Sequence, residues 1–459
     1  MEKYQIAIIG GGAAGLFAAA YAVKYIKEHP EFLSSGSLRR IVLLEKEERC
    51  GRKINITGKG RCNITNTRMW DEFAPHIHPQ SNFLRSAFYS MSTADTMNFF
   101  EGIGLPLVVE RGQRVYPKSM RAADVTDALM NYISVDFVKV FTRCPVEKIE
   151  KDEGAFVISA KCGKINADNI IITTGGLSYP LTGSTGDGYK FAESFGHSVE
   201  KCFPSLTALV PKNYFQDLKT EADYSVSSDR IFSQTGKSLN GLELKNVSAK
   251  LIVNGAVAQE EFGDVNFTDG GIEGPIIFRI SRRAVENIIN GQKVQVVLDL
   301  KPALSLQQLN ARIEREMGSL SSVVYGRYQA KNSINSSNPN TLRYLLNRML
   351  PKQLIKPFMD MSKDLSVKTL PERLKELKFE IVSFVGYDRC VVTAGGISLK
   401  EVSHKTMESK LVKGLYFAGE VLDLDGDTGG YNLQTAFSTG ALAMQNCLNG
   451  FAKKSDSSK

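Results

Sequence analysis

Apolar residues gather in short unbroken runs near both ends of this chain and alternate with polar ones through its middle. The first run, Ile6 to Ile9, leaves no position for a polar face and predicts a buried strand of a parallel sheet. It passes through three glycines into an alanine-rich stretch, where a helix is expected from Ala13 to about Tyr25. Arg40 to Glu45 predicts a second such strand, Asn169 to Thr174 a third and Gly414 to Glu420 a fourth, followed by a helix to about Leu448. Pro79 to Gly102 reads as helical, Gly104–Glu110 and Arg114–Pro117 as a strand pair, and Ala122 to Ile133 as a helix capped by Ser119. Val138–Ile149, Ala155–Cys162 and Lys164–Asn169 read as a meander of short strands.

From about Ser198 to Gly291 the texture shifts to short alternating segments, which predict antiparallel β structure. Leu304 to about Leu377 reads as mostly helical, with polar interruptions from Asn332 to Asn340, and the parallel-sheet texture returns after Phe379. The fold class is therefore α/β, with an antiparallel insert and a small helical one.

The glycines after the first strand each answer a physical demand. Gly10 allows a tight turn, Gly12 lets a pyrophosphate approach the backbone, and Gly15 lets the helix pack close to the strand. The helix N-terminus offers free N–H groups to phosphates. Glu45, closing the second strand, is placed to accept hydrogen bonds from ribose hydroxyls. Its interval from the glycines is longer than usual, which a helix extension and loop from Lys27 to Arg39 explains. The combination predicts a dinucleotide site.

Arg49 to Asn66 is a loop by composition, and its Lys53, Gly60, Arg61, Cys62 and Asn63 suit a segment laid along a cofactor. The Thr-Gly turn at Thr174-Gly175-Gly176 and the Gly419-Glu420 strand end supply two further glycine approaches. A helix beginning near Asn432 would aim its N–H groups at the preceding loop, with Asn432 as N-cap.

Composition narrows the partners. The 459 residues carry a net charge of +8, spread along the chain, and lack a basic stripe interleaved with aromatics, so no nucleic-acid partner is expected. Tyr4 to Val23 is uncharged, but its glycines suit a strand and turn better than a membrane span, and no membrane partner is expected. The seven cysteines occur singly, without C-x-x-C, and fit reduced thiols in a cytoplasmic protein. Cys62 is expected to be a packed side chain rather than a redox group. His76-Ile77-His78 is the one metal-capable pair, and surface or core roles are expected for all five histidines, so no metal is assigned. Lys453 to Lys459 reads as a solvated tail. Nothing indicates the oligomeric state.

Together, Gly10–Gly15 with Glu45, the Thr173–Gly176 turn and the Gly419-Glu420 strand end resemble the glutathione-reductase type of flavoprotein. Gly58–Asn66, Thr182–Gly188 and Gly429-Gly430-Tyr431-Asn432-Leu433-Gln434 look more closely like the BaiN/aminoacetone-oxidase-like FAD-binding family. The resemblance implies a discontinuous Rossmann-like FAD-binding domain, residues 1–197 and 379–450. A β-barrel-like insert at 198–302, a helical insert at 303–378 and a disordered tail at 451–459 complete the expected domains. It implies non-covalent FAD held by Gly10, Gly12, Ala13, Ala14, Gly15, Glu45, Lys46, Lys53, Gly60, Arg61, Cys62, Asn63, Val146, Thr174, Gly175, Gly176, Gly419, Glu420, Gly430, Tyr431, Asn432, Leu433 and Gln434. Phe267 to Pro275 departs from relatives that carry histidine and serine where Asp269 and Glu273 stand here, so their ligand preference does not transfer.

Flavin would supply the redox step, with hydride passing through N5. No second G-x-G-x-x-G follows a strand, so NAD(P)H is expected to bind only transiently. Tyr179 and Tyr431 are the proton-donor candidates. The expected activity is NAD(P)H-dependent reduction of an electron-poor small molecule; an amine oxidase using O₂ and a flavin-bearing RNA-modifying protein are the alternatives.

Overall fold

Parallel pairing of the apolar runs organises the first of two compact units, Met1–Pro204 with Val391–Lys459; the second is Ser205–Cys390. The computed structural model describes residues 2–30, 40–216, 230–325, 339–362 and 364–456.

The sheet of the first unit contains β1 (Glu2–Ile9), β2 (Ile41–Leu44), β3 (Val138–Phe141), β4 (Val146–Asp152), β5 (Ala155–Ala160), β6 (Gly163–Ile172) and β7 (Leu415–Phe417). Its parallel part runs β3-β2-β1-β6-β7; β5 joins β6 antiparallel, and β4 joins β5 antiparallel. The long β6 serves both parts. Gly163–Ala167 pairs with β5, and Ile170–Ile172 pairs with β7. Ile6, Ile8, Ile170, Ile171 and Ile172 are fully buried, each worth about 1.5–3 kcal/mol relative to exposure. Helices α1 (Ala13–Glu28) and α2 (Tyr431–Asp456) pack on this sheet, with Phe17 against Phe437 at 4.7 Å.

The second unit holds a closed six-stranded barrel. Its order is Leu209–Pro211, Gly271–Glu273, Ala256–Thr268, Glu243–Val253, Val294–Asp299 and Leu377–Phe384. Helices Leu306–Tyr325, Pro339–Met349, Lys352–Met361 and Leu370–Lys375 belong to the same unit.

Several local expectations are corrected. Val138–Phe141 leaves the meander and becomes the parallel edge strand β3, because Val138 and Val140 register with Ile41 and Leu43. Leu377–Phe384 closes the barrel; its alternation of buried and exposed residues fits a one-sided strand better than a doubly covered one. The loop after Glu45 contains a short helix, Arg52–Ile56. The helix at Ala122 begins after Arg121 without a side-chain cap, so Ser119 does not cap it. The last helix runs past Leu448 to Asp456, into the expected tail.

Cys144 and Cys162 form a disulfide, Cα atoms 5.5 Å apart, which overturns the expectation of uniformly reduced thiols. They flank the β4–β5 hairpin, whose register pairs Val146 with Ala160. Asn332 to Asn338 and most of the loop expected before Arg40 lie outside the described residues. Among the described residues no helix is long and apolar enough to cross a membrane.

Candidate cofactor site

Four parallel strands end level with one another. Ile9 registers with Leu44 and with Ile172, and Ile172 registers with Phe417. Gly10, Glu45, Thr173 and Ala418 therefore leave the sheet along one edge, where ligands of open α/β sheets bind.

Gly10 has φ +107°, and a Cβ there would sit 2.7 Å from the Thr173 carbonyl oxygen. A Cβ on Gly15 would lie 2.0 Å from the Gly10 carbonyl oxygen. Gly12 differs: its Cβ would meet nothing nearer than Thr173 O at 4.0 Å, so its missing side chain leaves space rather than relieving a clash. Intrahelical bonding starts with Leu16 N–H donating to Gly12 O, leaving the N–H groups of Ala13, Ala14 and Gly15 ahead of that bond. Space beside Gly12 and forward-facing donors fit a pyrophosphate.

Glu45 is nearly buried, and its carboxylate accepts the Gly11 N–H at 2.7 Å and the Glu47 N–H at 2.8 Å. Each oxygen retains capacity for another donor. Lys46 donates to Asp187 at 2.6 Å and also to Thr185, bracing the start of helix Asp187–Ser194.

At the β6 and β7 ends, Lys53 donates to Ser178 Oγ and Glu420 Oε2, both at 2.9 Å. Glu420 Oε1 accepts from the Ser178 hydroxyl at 2.5 Å and the Thr393 N–H at 3.0 Å. Burial alone pushes the Glu420 carboxyl up; Lys53, Ser178 and Thr393 outweigh it and hold it below the usual range. Ser178 and Thr393 carried no sequence signal, since the contact joins residues over 200 positions apart. Gly175 and Gly176 lie in this cluster, where a Cβ would come within 3.0 Å of Ser184 Oγ and 2.5 Å of Thr393 Oγ1, respectively.

Gly430, at φ +86°, precedes α2, and its N–H donates to Asn63 in the orientation that satisfies the Asn63 amide. Asn432 is not the cap. Its amide exchanges two 2.8 Å hydrogen bonds with the Gly426 backbone. Gln434 is fully buried and bonds Met91 O, Thr65, Thr96 and Ser438, so its side chain braces the helix. Tyr431 is buried between Phe73 and His76, with ring centroids at 4.9 and 4.6 Å. Leu433 is half-buried in the same first turn. Gly419 packs against α1, where a Cβ would lie 2.8 Å from Ala14 Cβ.

Arg61 pairs with Glu110 at 3.1 Å and stacks over Tyr116, while the Gly60 carbonyl accepts the Ala122 N–H. Val146 opens β4. Cys62 is fully buried, and burial pushes its thiol up to about 12, which suits a packed side chain rather than a nucleophile. Tyr179 is half-buried at φ +52°, just after Ser178.

Before α2, Asp427 Oδ2 accepts from His76 Nδ1 at 2.7 Å, and Asp427 Oδ1 lies 3.6 Å from His78 Nε2. Burial pushes this carboxyl up, but the two histidines outweigh that and keep it below the usual range. No group of three or more metal-capable side chains occurs among the described residues.

Two buried hydroxyls, Thr174 Oγ1 and Thr435 Oγ1, find no hydrogen-bond partner among the described residues. They stand at the β6 end and in the first turns of α2. With the gap at Gly12 and the two helix N-termini, they fit an extended dinucleotide with several polar groups.

A family model described as HI0933-like protein Rossmann domain matches residues 4–446. A 3-dehydro-bile acid delta(4,6)-reductase of Clostridium scindens is 30% identical over 454 residues, spanning 96% of this chain and 98% of that one. A ribosomal RNA dihydrouridine synthase of Haemophilus influenzae is 30% identical over 463 residues, spanning 96% and 97%. Among solved structures, the Sterolibacterium denitrificans 3-ketosteroid delta1-dehydrogenase aligns with a TM-score of 0.46 at 11% identity, covering 98% of this chain and 100% of that one.

Proposed function

The chain belongs to the HI0933-like family of FAD-binding Rossmann proteins, and from that premise we propose a reductase acting on a carbon–carbon double bond conjugated to a carbonyl. The observation that carries the flavin reading is the convergence of level strand ends, two helix N-termini and orphaned hydroxyls at one sheet edge. The relatives' names support the acceptor chemistry. A 3-oxo bile acid with ring unsaturation and a uracil base both present a double bond polarised by a carbonyl.

FAD bound here would supply hydride-transfer chemistry, with NAD(P)H as reductant and the electron-poor carbon as acceptor. The chain's own groups bind and orient. The Ala13–Gly15 N–H groups would hold the pyrophosphate beside Gly12, and the remaining lone pairs of Glu45 would hold ribose. The N-terminus of α2 offers partial positive charge to the electron-rich end of the cofactor. Lys53 pairs with Glu420 at 2.9 Å at the strand ends. Tyr431 is buried in an aromatic stack, which leaves Tyr179 the more accessible of the two proton-donor candidates.

A second reading is carried by the ribosomal RNA dihydrouridine synthase, as similar in identity as the bile acid reductase. The reducible bond would then belong to a uracil in RNA, and the +8 charge would assist its approach. Both readings share the flavin step. The test is anaerobic addition of NADH or NADPH to the FAD-loaded protein. Rapid bleaching is expected, whereas bleaching by amines alone would replace the reductase with an oxidase. Reoxidation by a small enone or by uridine-containing RNA then separates the two readings.

A further inference from the structure

The loop from Asp425 to Gly430 leads directly into the first turn of α2, and a second segment of the same unit grips it. Asp425–Gly426 pairs antiparallel with Ile77–His78. The Asp427 N–H donates to His76 O at 3.0 Å, and the Asn66 amide donates to Gly429 O at 3.0 Å. Through side chains the grip continues: Arg68 Nη1 lies 3.2 Å from His76 Nε2, and His76 Nδ1 lies 2.7 Å from Asp427 Oδ2.

Chemistry fixes the direction of this chain of bonds. A guanidinium can only donate, so His76 Nε2 must be the acceptor. The ring proton then sits on Nδ1 and is donated to the Asp427 carboxylate. Both ring nitrogens of His76 are thus committed, and its face is stacked on Tyr431. The charged and ionisable groups set against this arrangement are Arg68 on one side, Asp427 on the other, His78 across Asp427, and Tyr431 below the ring. Side-chain exposures of 29% for His76 and 15% for Asp427 leave the link half-buried.

We propose that His76 is a positioning residue for the cofactor site: the Arg68–His76–Asp427 relay fixes the loop that aims the N-terminus of α2 at the bound dinucleotide. The inference rests on the flavin reading of this site. His76 acts through Asp427 and the loop, and it touches no reacting atom. What the relay needs from residue 76 is one acceptor beside one donor. A glutamine amide supplies both, whereas a phenylalanine ring supplies only the stack on Tyr431.

The test compares FAD dissociation constants, by flavin fluorescence, and visible circular dichroism of the bound flavin in three full-length proteins. Hydrogen bonds to charged groups are worth about a factor of ten or more in an equilibrium constant. His76→Phe is expected to bind FAD about tenfold more weakly, with an altered flavin dichroism. His76→Gln is expected to stay within about threefold of the natural protein and to keep its dichroism. Equal impairment of both variants would overturn the relay, and so would natural affinity and dichroism in His76→Phe. Far-ultraviolet dichroism checks that each variant is folded. Failure of the natural protein itself to bind FAD is a distinct result, and it would remove the flavin reading together with this inference.

Discussion

Glu45 Oε2 accepts the Gly11 N–H at 2.7 Å, so the carboxylate ending β2 is fastened to the glycine turn ending β1. The proposed ribose acceptor and the proposed phosphate turn form one hydrogen-bonded unit, and altering either disturbs both. Glu45→Arg is expected to abolish FAD retention, measured as the flavin-to-protein ratio after gel filtration. Glu45→Ala also strands the Gly11 and Glu47 N–H groups, which should destabilise the fold by about 1–3 kcal/mol. An unchanged flavin ratio in Glu45→Arg would remove the ribose assignment.

Gly12 and Gly15 should fail in different ways. A methyl at Gly15 collides with the Gly10 carbonyl oxygen at 2.0 Å, so Gly15→Ala should lower the melting temperature. At Gly12 the nearest atom is 4.0 Å away, so Gly12→Ala should melt like the natural protein and yet bind FAD at least about tenfold more weakly. Equal melting and equal FAD affinity in Gly12→Ala would mean that the gap is not where the pyrophosphate lies.

How much of this was legible in the sequence follows from the range of each interaction. Gly10, Gly12, Gly15 and Glu45 sit in local patterns whose backbone demands can be read residue by residue. Ser178 and Thr393 meet Glu420 only through the fold, so no spacing announces them. Arg61 lies in a basic loop whose composition does not announce its contacts with Glu110 and Tyr116, supplied by a distant hairpin. Gln434 sits in a recognisable motif, but burial turns its amide toward Met91 and Thr96. Leu377–Phe384 is a barrel strand, and Lys378 and Glu380 alternating with Leu377, Phe379 and Ile381 carry that one-sided pattern in the sequence.

The buried imidazole of His197 makes stability depend on pH. Ser409 Oγ accepts the Leu411 and Val412 N–H groups, so its own proton goes to His197 Nε2 at 2.8 Å. Burial lowers this histidine from its usual 6.5, against the pull of Glu401. The unfolded chain therefore takes up the proton first as pH falls. The contribution is whole above 6.5 and is lost as pH drops through 6.5 toward the lower folded value. Melting temperature should decline over that window in the natural protein and decline less in His197→Gln. Parallel declines would assign the effect to other groups.

Reducing the Cys144–Cys162 bond opens a loop with a sequence separation of 18. The Cys144 N–H also donates to Glu45 O, so the bond braces the strand end that carries Glu45. Denaturant unfolding with and without a dithiol should differ by roughly 3 kcal/mol. Cys144→Ser should match the reduced protein under both conditions. A Cys144→Ser variant that still loses stability on reduction would contradict this.

The central claim is that this chain holds FAD and uses it to reduce a carbonyl-conjugated double bond. The most direct measurement follows the visible flavin band of the FAD-loaded protein, bleached without oxygen and then mixed with a conjugated enone or uridine-containing RNA. The account expects the band to return with one of these acceptors while the acceptor's double bond becomes saturated. A protein that takes up no FAD, or a band that stays bleached with both acceptors and returns only with oxygen, would contradict it.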